Sequence, residues 1–238
     1  MAPMLRLFVD RALGLGDLVE LPAGPLRHVQ VRRLQPGDPL VLFNGHGGEW
    51  RAEVRAMGRQ SVQVELLAHE PIERELDLEV TLLVGMPANE RMDWLVEKTT
   101  ELGVSALQPV QCERSVLRLS GEREQRRRAH WQALAVAAAE QCGRTRVPRL
   151  HAVRPLPQAL QALAAGTQRW LLSPGAERPA ARPRGAVPLV VLSGPEGGLT
   201  PAEEGAARGA GFAAVGLGPR ILRAETAPLA LLAWLGLA

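Results

Sequence analysis

Residues 192–200 read LSGPEGGLT. An apolar run, residues 186–191 (AVPLVV), leads into them, and residues 201–211 (PAEEGAARGAG) follow with helical composition. Thr200, Pro201, Ala202 and Glu203 form a capping box with proline at the first helical position, which sets the start of a helix. The stretch is therefore a strand, a turn through Gly194, Gly197 and Gly198, and a helix, the unit from which parallel α/β sheets are built. Turns of this kind often hold phosphate. Here no lysine follows Gly198 and no G-x-G-x-x-G pattern is present, while Glu196 in the turn would meet a polyanion with like charge. ATP, GTP and NAD are disfavoured, and read alone the stretch is as consistent with a simple tight bend.

A second loop alters that balance. Residues 216–227 (GLGPRILRAETA) again follow a short strand and precede a helix. Two Gly/Pro loops then leave the carboxyl ends of two strands, which is where open α/β sheets bind ligands. Between Gly218 and Thr226 lie Arg220, Arg223, Glu225 and the apolar pair Ile221-Leu222. Apolar side chains beside exposed backbone suit a flat heterocycle such as adenine, and a cationic ligand tolerates Glu196 or Glu225.

Outward from these loops, the second part of the chain alternates strands with helices. LEVTLLVGM, SALQPVQ, RWLLS, VPLVVLSG and FAAVGLG read as strands; RMDWLVEKTTELG, GEREQRRRAHWQALAVAAAEQCG, TPAEEGAARGAG and AETAPLALLAWLGLA read as helices. That pattern predicts a mostly parallel sheet. The segment PGAERPAARPRGAVP is a flexible Pro- and Arg-rich loop, and EPIERELD near residues 70–77 is a linker. The first 70 residues instead carry short β-like pieces (LRLFV, PLVLFNGHGGEWRAEV, SVQVELL) with a hairpin signal at Asn44-Gly45 and a short helix from His28 to Leu34, which predicts a small β-barrel.

Forty-six percent hydrophobic residues support a real core, which excludes global disorder. The net charge of +3 conceals a skew: the basic residues are arginines apart from Lys98. Composition bias accounts for this, and arginine also suits phosphate and base stacking, so RNA binding is permitted rather than demanded. Lys98 either pairs with Glu101 or serves a function that needs an ammonium. Cys112 and Cys142 suggest neither a disulfide framework nor zinc, and no metal is expected. The amino terminus is broken by Asp10, Arg11 and Asp17 and does not read as a signal peptide, so a soluble cytoplasmic protein is expected. Trp94, Trp131, Trp170 and Trp234 are expected in the core; Trp50 is placed to stack on a base. Ser193 lacks the G-x-S-x-G elbow of a hydrolase.

Residues 192–204 (LSGPEGGLTPAEE) followed by 217–227 (LGPRILRAETA) resemble the paired signature of the SPOUT methyltransferases, whose carboxyl-terminal chain forms a trefoil knot around S-adenosylmethionine. The likeness is greatest to the RsmE family, which methylates N3 of a uridine in 16S ribosomal RNA. Residues 98–104 (KTTELGV), 113–115 (ERS) and 140–144 (EQCGR) resemble further elements of that family in the same order. The resemblance implies a PUA-like, RNA-binding β-barrel over residues 1–72 and a knotted α/β methyltransferase domain over residues 73–238. It implies methylation near the decoding region of the small subunit, and a homodimer, for which the apolar last helix offers surface. By the same resemblance Leu172, Gly194, Glu196, Gly197, Leu217, Gly218, Ile221 and Leu222 line the cofactor site. Arg223, Glu225 and Arg220 are the expected catalytic residues, with Arg223 favoured to stabilise the uridine anion and Glu225 to accept the proton or orient an arginine. Arg6, Arg32, Arg33, Arg114 and Arg144 are the expected RNA contacts. The alternatives are a knotted enzyme acting on another RNA position and a non-catalytic ribosomal RNA-binding assembly factor.

Overall fold

The computed structural model describes residues 4–88, 90–176, 183 and 187–237. It divides into two compact units: one comprises Met1–Glu75 with Ala139–Val147, the other Leu76–Ala138 with Pro148–Ala238.

The first unit is a five-stranded sheet. β1 (Arg6–Phe8) runs parallel to β3 (Pro39–Phe43), while β3 with β4 (Glu49–Met57), β4 with β5 (Val62–Glu70) and β5 with β2 (Leu18–Glu20) pair antiparallel, giving the order β1-β3-β4-β5-β2. Alternation sets the inner face. Trp50, Ala52 and Val54 of β4 and Val62, Val64 and Leu66 of β5 are buried, with Arg51 and Gln63 between them exposed. Leu7 of β1 and Val19 of β2, at opposite ends of the ladder, enter the same core. The expected hairpin at Asn44-Gly45 joins β3 to β4 through residues 44–48, in which Gly45, Gly47 and Gly48 all have positive φ. The helix expected from His28 begins earlier, as α1 (Ala23–Val31), because Pro25 sits in its first turn where a missing N–H costs nothing. Trp50 is only 8% exposed and its ring lies 4.5 Å from that of His69. It is a core residue, which corrects its assignment as a base-stacking side chain.

A polar seam joins residues 139–147 to the remainder of this unit. Arg6 pairs with Glu49 and donates to the Arg144 carbonyl (2.9 Å), while Arg74 donates to Glu49 (3.0 Å) and the Gly143 carbonyl (2.9 Å). Arg144 pairs with Glu75, Glu140 Oε1 accepts the Phe8 N–H at 2.9 Å, and Glu73 accepts from Thr145 (2.8 Å) and Arg146 (2.9 Å).

The second unit holds a sheet in which every pairing is parallel, ordered β12-β10-β11-β6-β7-β8 with the short β9 (Arg154–Pro155) also on β7. The strands are β6 (Val80–Gly85), β7 (Ala106–Gln111), β8 (Arg149–Leu150), β10 (Gln168–Leu172), β11 (Leu189–Ser193) and β12 (Ala213–Val215). The helices are α2 (Glu90–Glu101), α3 (Gly121–Cys142), α4 (Leu156–Gln161), α5 (Pro201–Gly209) and α6 (Thr226–Leu237). All five residues of β11 are buried, because it lies inside a parallel sheet covered on both faces; hence its unbroken apolar run. The short α4 and β8 carry too little periodicity to be read from sequence. The Pro- and Arg-rich loop expected over residues 174–188 falls largely outside the described residues.

α2 buries Met92, Leu95, Val96, Thr99 and Thr100, one helical stripe, and the two threonine hydroxyls donate back to Leu95 and Val96 carbonyls at 2.7 Å. Lys98 lies off that stripe and pairs with Glu97 (2.7 Å) and Glu101 (2.8 Å), the structural of its two readings. Trp94, expected in the core, is 44% exposed because it too lies off the stripe. Trp131 is buried, with its indole N–H donating to Asp93 at 2.9 Å, and Trp170 and Trp234 are half-buried against each other. Among the described residues no helix is long and apolar enough to cross a membrane.

Burial pushes the Glu49 carboxyl upward, but hydrogen bonds from Arg74 and Arg6 outweigh it and leave the group below its ordinary 4.5. The stability this contributes is present above pH 4.5 and is lost as pH falls through the lowered value. Glu49→Gln should lower stability near neutrality by about 3 kcal/mol, since it leaves Arg6 uncompensated. It should also flatten the loss of stability below pH 4.5, as read by urea unfolding across that range.

Candidate active site

Three successive loops at the carboxyl ends of β10, β11 and β12 enclose a cleft of about 630 Å³. The β10 loop contributes Leu171 to Pro174, the β11 loop Ser193 to Leu199, and the β12 loop residues from Leu217 to Ala224; Arg91 of α2 completes the wall. Of the residues singled out in the sequence, Leu172, Gly194, Glu196, Gly197, Leu217, Arg220, Ile221, Leu222 and Arg223 line this cleft. Gly218 takes the left-handed φ of 100° that turns its loop, and Glu225 lies between the lining residues Ala224 and Ala227.

Sequence reasoning overlooked the β10 loop beyond Leu172, where Ser173 and Pro174 also line the cleft, and it overlooked Arg91. Both follow parallel strands, β10 and β6, so the rule that ligands sit at strand carboxyl ends was signal enough. Close packing shapes the loops. A Cβ on Gly85 would lie 2.5 Å from Pro195, and one on Gly216 would lie 2.5 Å from the Ala176 carbonyl.

Glu196 is turned towards the start of α2. Its Oε1 accepts the Ala88 N–H at 2.9 Å and lies 3.5 Å from Arg91 Nη1. A carboxylate at a helix amino terminus is favourably placed. Glu225 is 7% exposed; its Oε1 is 3.9 Å from Arg91 Nε, and its Oε2 is buried with no hydrogen-bond partner among the described residues. Arg220 and Arg223 are exposed, and Ile221 between them is 85% exposed. The Arg223 carbonyl accepts the N–H groups of Thr226 (2.9 Å) and Ala227 (3.0 Å), which fixes the backbone where α6 begins.

The five expected RNA contacts separate. Arg32 and Arg33 are exposed on the first unit, whereas Arg6 and Arg144 hold the buried partners of the polar seam. Arg114 donates from Nη1 to the carbonyls of Gly197 (3.0 Å) and Leu199 (3.4 Å) and so grips the β11 loop. Its neighbours assist: the Glu113 N–H donates to Glu203 Oε1 (2.8 Å), and Glu203 closes the capping box on Thr200. Burial first, and Glu203 second, push the Cys112 thiol up to about 12, which removes it as a nucleophile. Among the described residues no group of His, Cys, Asp or Glu side chains could hold a metal ion.

The parallel sheet with its cleft at three strand ends and the separate small β-rich unit correspond to an RNA methyltransferase domain and a PUA domain. The family model for the RNA methyltransferase domain matches residues 74–236, and that for the RNA methyltransferase PUA domain matches residues 26–67. Ribosomal RNA small subunit methyltransferase E of Bacillus subtilis is 34% identical over 211 residues, covering 84% of this chain and 82% of that protein. The Synechocystis protein of the same name is 35% identical over 222 residues, covering 90% and 71%. The crystal structure of the Neisseria gonorrhoeae ribosomal RNA small subunit methyltransferase E, bound to S-adenosyl methionine, superposes with a TM-score of 0.91 at 35% identity, covering 98% of this chain and 96% of that one. A putative methyltransferase from Legionella pneumophila, in complex with the same cofactor, also gives 0.91, at 29% identity and 98% and 97% coverage. This chain belongs to the ribosomal RNA small subunit methyltransferase E family.

Arg114→Ala should release the β11 loop. The amides of residues 197–199 should exchange with solvent roughly tenfold faster, the equivalent of one hydrogen bond. Those of β11 should be unchanged in the same hydrogen-exchange mass-spectrometry run.

Proposed function

We propose that this chain transfers the methyl group of S-adenosylmethionine to N3 of a uridine in 16S ribosomal RNA, near the decoding region of the small subunit. The observation that carries the reading is the three-loop cleft, with Leu172, Leu217 and Leu222 in its walls and the exposed Arg220 and Arg223 at its edge. The names of its relatives supply the substrate class.

The cleft fits the cofactor. Leu172, Leu217 and Leu222 offer apolar walls for a nucleoside ring. Around them the main chain comes so close that a Cβ on Gly194 or Gly197 would meet Leu199 or Arg114 at 3.2 and 3.1 Å. Peptide N–H and C=O groups at such bare backbone suit the edge of adenine, with Gly218 and Ile221 completing the rim. When bound, S-adenosylmethionine supplies an electrophilic methyl carbon on a sulfonium that leaves as a thioether. Glu225 takes the imide proton of the uridine: the N3–H bond breaks, an O–H bond forms on the carboxylate, and the electron pair left on N3 makes the new N–C bond. Arg223, with Arg220 beside it, donates to the carbonyl oxygens over which the negative charge spreads.

Arg32 and Arg33, exposed on the PUA unit, bind RNA phosphates. The domain boundary we propose lies at residues 72–73, consistent with the matched spans 26–67 and 74–236. For the second domain we propose a trefoil knot. Support comes from β11, which enters between β10 and β6, and from the tight passage of Gly194-Pro195 over Gly85. The enzyme acts as a cytoplasmic homodimer that uses the apolar surface of α6, in which Leu229 and Trp234 stay half-buried.

Incubation of unmethylated small subunits with labelled cofactor, followed by nucleoside mass spectrometry, tests the reading: label in 3-methyluridine supports it, and label on ribose or guanine overturns it. Arg223→Ala should lower kcat by the equivalent of about 2–4 kcal/mol. Affinity for S-adenosylhomocysteine, measured by calorimetry, should stay within about threefold of wild type.

A further inference from the structure

We propose that Arg91 is a positioning residue that orients the Glu225 carboxylate for the proton step; the inference rests on the reading above. Glu225 is the group in need of support. Its side chain is 9% exposed, and Oε2 has no donor among the described residues. A carboxylate removed from water to this degree is costly unless a cation accompanies it. Among the described residues Arg91 is the cation within 4 Å, with Nε 3.9 Å from Oε1.

The same guanidinium reaches a second carboxylate. Nη1 of Arg91 is 3.5 Å from Glu196 Oε1, an oxygen already anchored by the Ala88 N–H at 2.9 Å. Glu196 thus keeps a partner without Arg91, whereas among the described residues Glu225 does not. The two contacts also fix the direction of the side chain. Held by Glu196 on the β11 loop, Arg91 approaches Glu225 at Oε1, while Oε2 lies buried with no donor among the described residues. In the proposed reaction the N3–H proton of the uridine passes to the Glu225 carboxylate while its bonding pair stays on N3. Arg91 joins the loop that walls the cofactor site to the segment that performs the chemistry, through one planar fork that a lysine does not duplicate.

Three properties distinguish this role from a phosphate contact made by a half-exposed arginine at the cleft mouth. Removal of Arg91 acts on kcat rather than on RNA affinity. The conservative lysine restores part of the rate, since an ammonium still offsets one buried charge. The effect also vanishes when Glu225 is already neutral, because the two residues act as a unit.

The test uses the full chain with unmethylated small ribosomal subunits, comparing wild type with R91A, R91K, E225Q and the R91A/E225Q double variant. Single-turnover methylation gives the rate, calorimetry with S-adenosylhomocysteine the cofactor affinity, and filter binding at two salt concentrations the RNA affinity. R91A should lose about thirtyfold or more in rate, with both affinities within about threefold of wild type, R91K should recover part of the loss, and the double variant should be no slower than E225Q. A loss confined to RNA affinity with a shallower dependence on salt, or losses that multiply in the double variant, would overturn the proposal. A wild-type enzyme that places no methyl group on uridine N3 would instead overturn the functional reading beneath it.

Discussion

Gly85, the last residue of β6, has no room for a side chain: the backbone of Gly194 and Pro195 occupies the space a Cβ would take. Much of the active-site half follows from that contact. β11 can lie against β6 with Ser193 opposite Val84 only if the chain leaving β11 passes directly over the end of β6. That passage delivers Glu196 to the start of α2, where the Ala88 N–H receives it, and brings Arg91 into the wall of the cleft. A bulkier residue at position 85 would push the β11 loop outward and separate Glu196 from both partners. Local sterics at a strand end therefore decide whether the three loops meet around one volume.

The arginines show how little charge alone reveals about function. Six of those discussed have defined partners within their own unit: Arg6, Arg74, Arg144 and Arg146 on the glutamates of the polar seam, Arg91 between Glu196 and Glu225, and Arg114 on the carbonyls of the β11 loop. Several of these glutamates are themselves largely buried, so their arginines are needed to offset desolvation before they can serve any ligand. Arg32, Arg33, Arg220 and Arg223 are exposed with no ion pair among the described residues, two on each unit. The lack of a partner, rather than residue type or exposure, separates them from the guanidiniums that hold the protein together, since Arg74, Arg91, Arg114 and Arg146 are exposed as well.

The parallel sheet and its two long loops were legible in the sequence because their signals are local: an apolar strand, a glycine turn and a capped helix recur at residues 189–209 and again, less fully, at 213–237. The capping box at Thr200 was found as read, with Glu203 Oε2 accepting the Thr200 N–H at 2.9 Å. What escaped reading depends on contacts distant in sequence. Residues 139–147 look like the end of a long helix, yet they fold with the first unit through Glu140, Gly143 and Arg144, whose partners lie some 70 to 140 positions earlier. Trp50 and Trp94 exchanged roles for a related reason. Which face a tryptophan presents is set by its strand or helix register against neighbours, and composition carries no record of that.

The acid in the glycine turn then takes on a definite meaning. A carboxylate in the wall of the proposed cofactor cleft looks misplaced if its charge is imagined unpaired. Here it is already engaged, satisfied by a helix-terminal N–H and sharing a guanidinium with Glu225. A neutral glutamine could keep the bond to Ala88 but would give Arg91 no counter-charge on that side, and the guanidinium would be free to turn towards Glu225 or towards solvent. Glu196 thus works as a counterweight. In the proton step proposed above, an Arg91 drawn towards Glu196 stands 3.9 Å from Glu225, and a carboxylate so loosely paired would retain the acceptor strength that a tight bidentate salt bridge would consume.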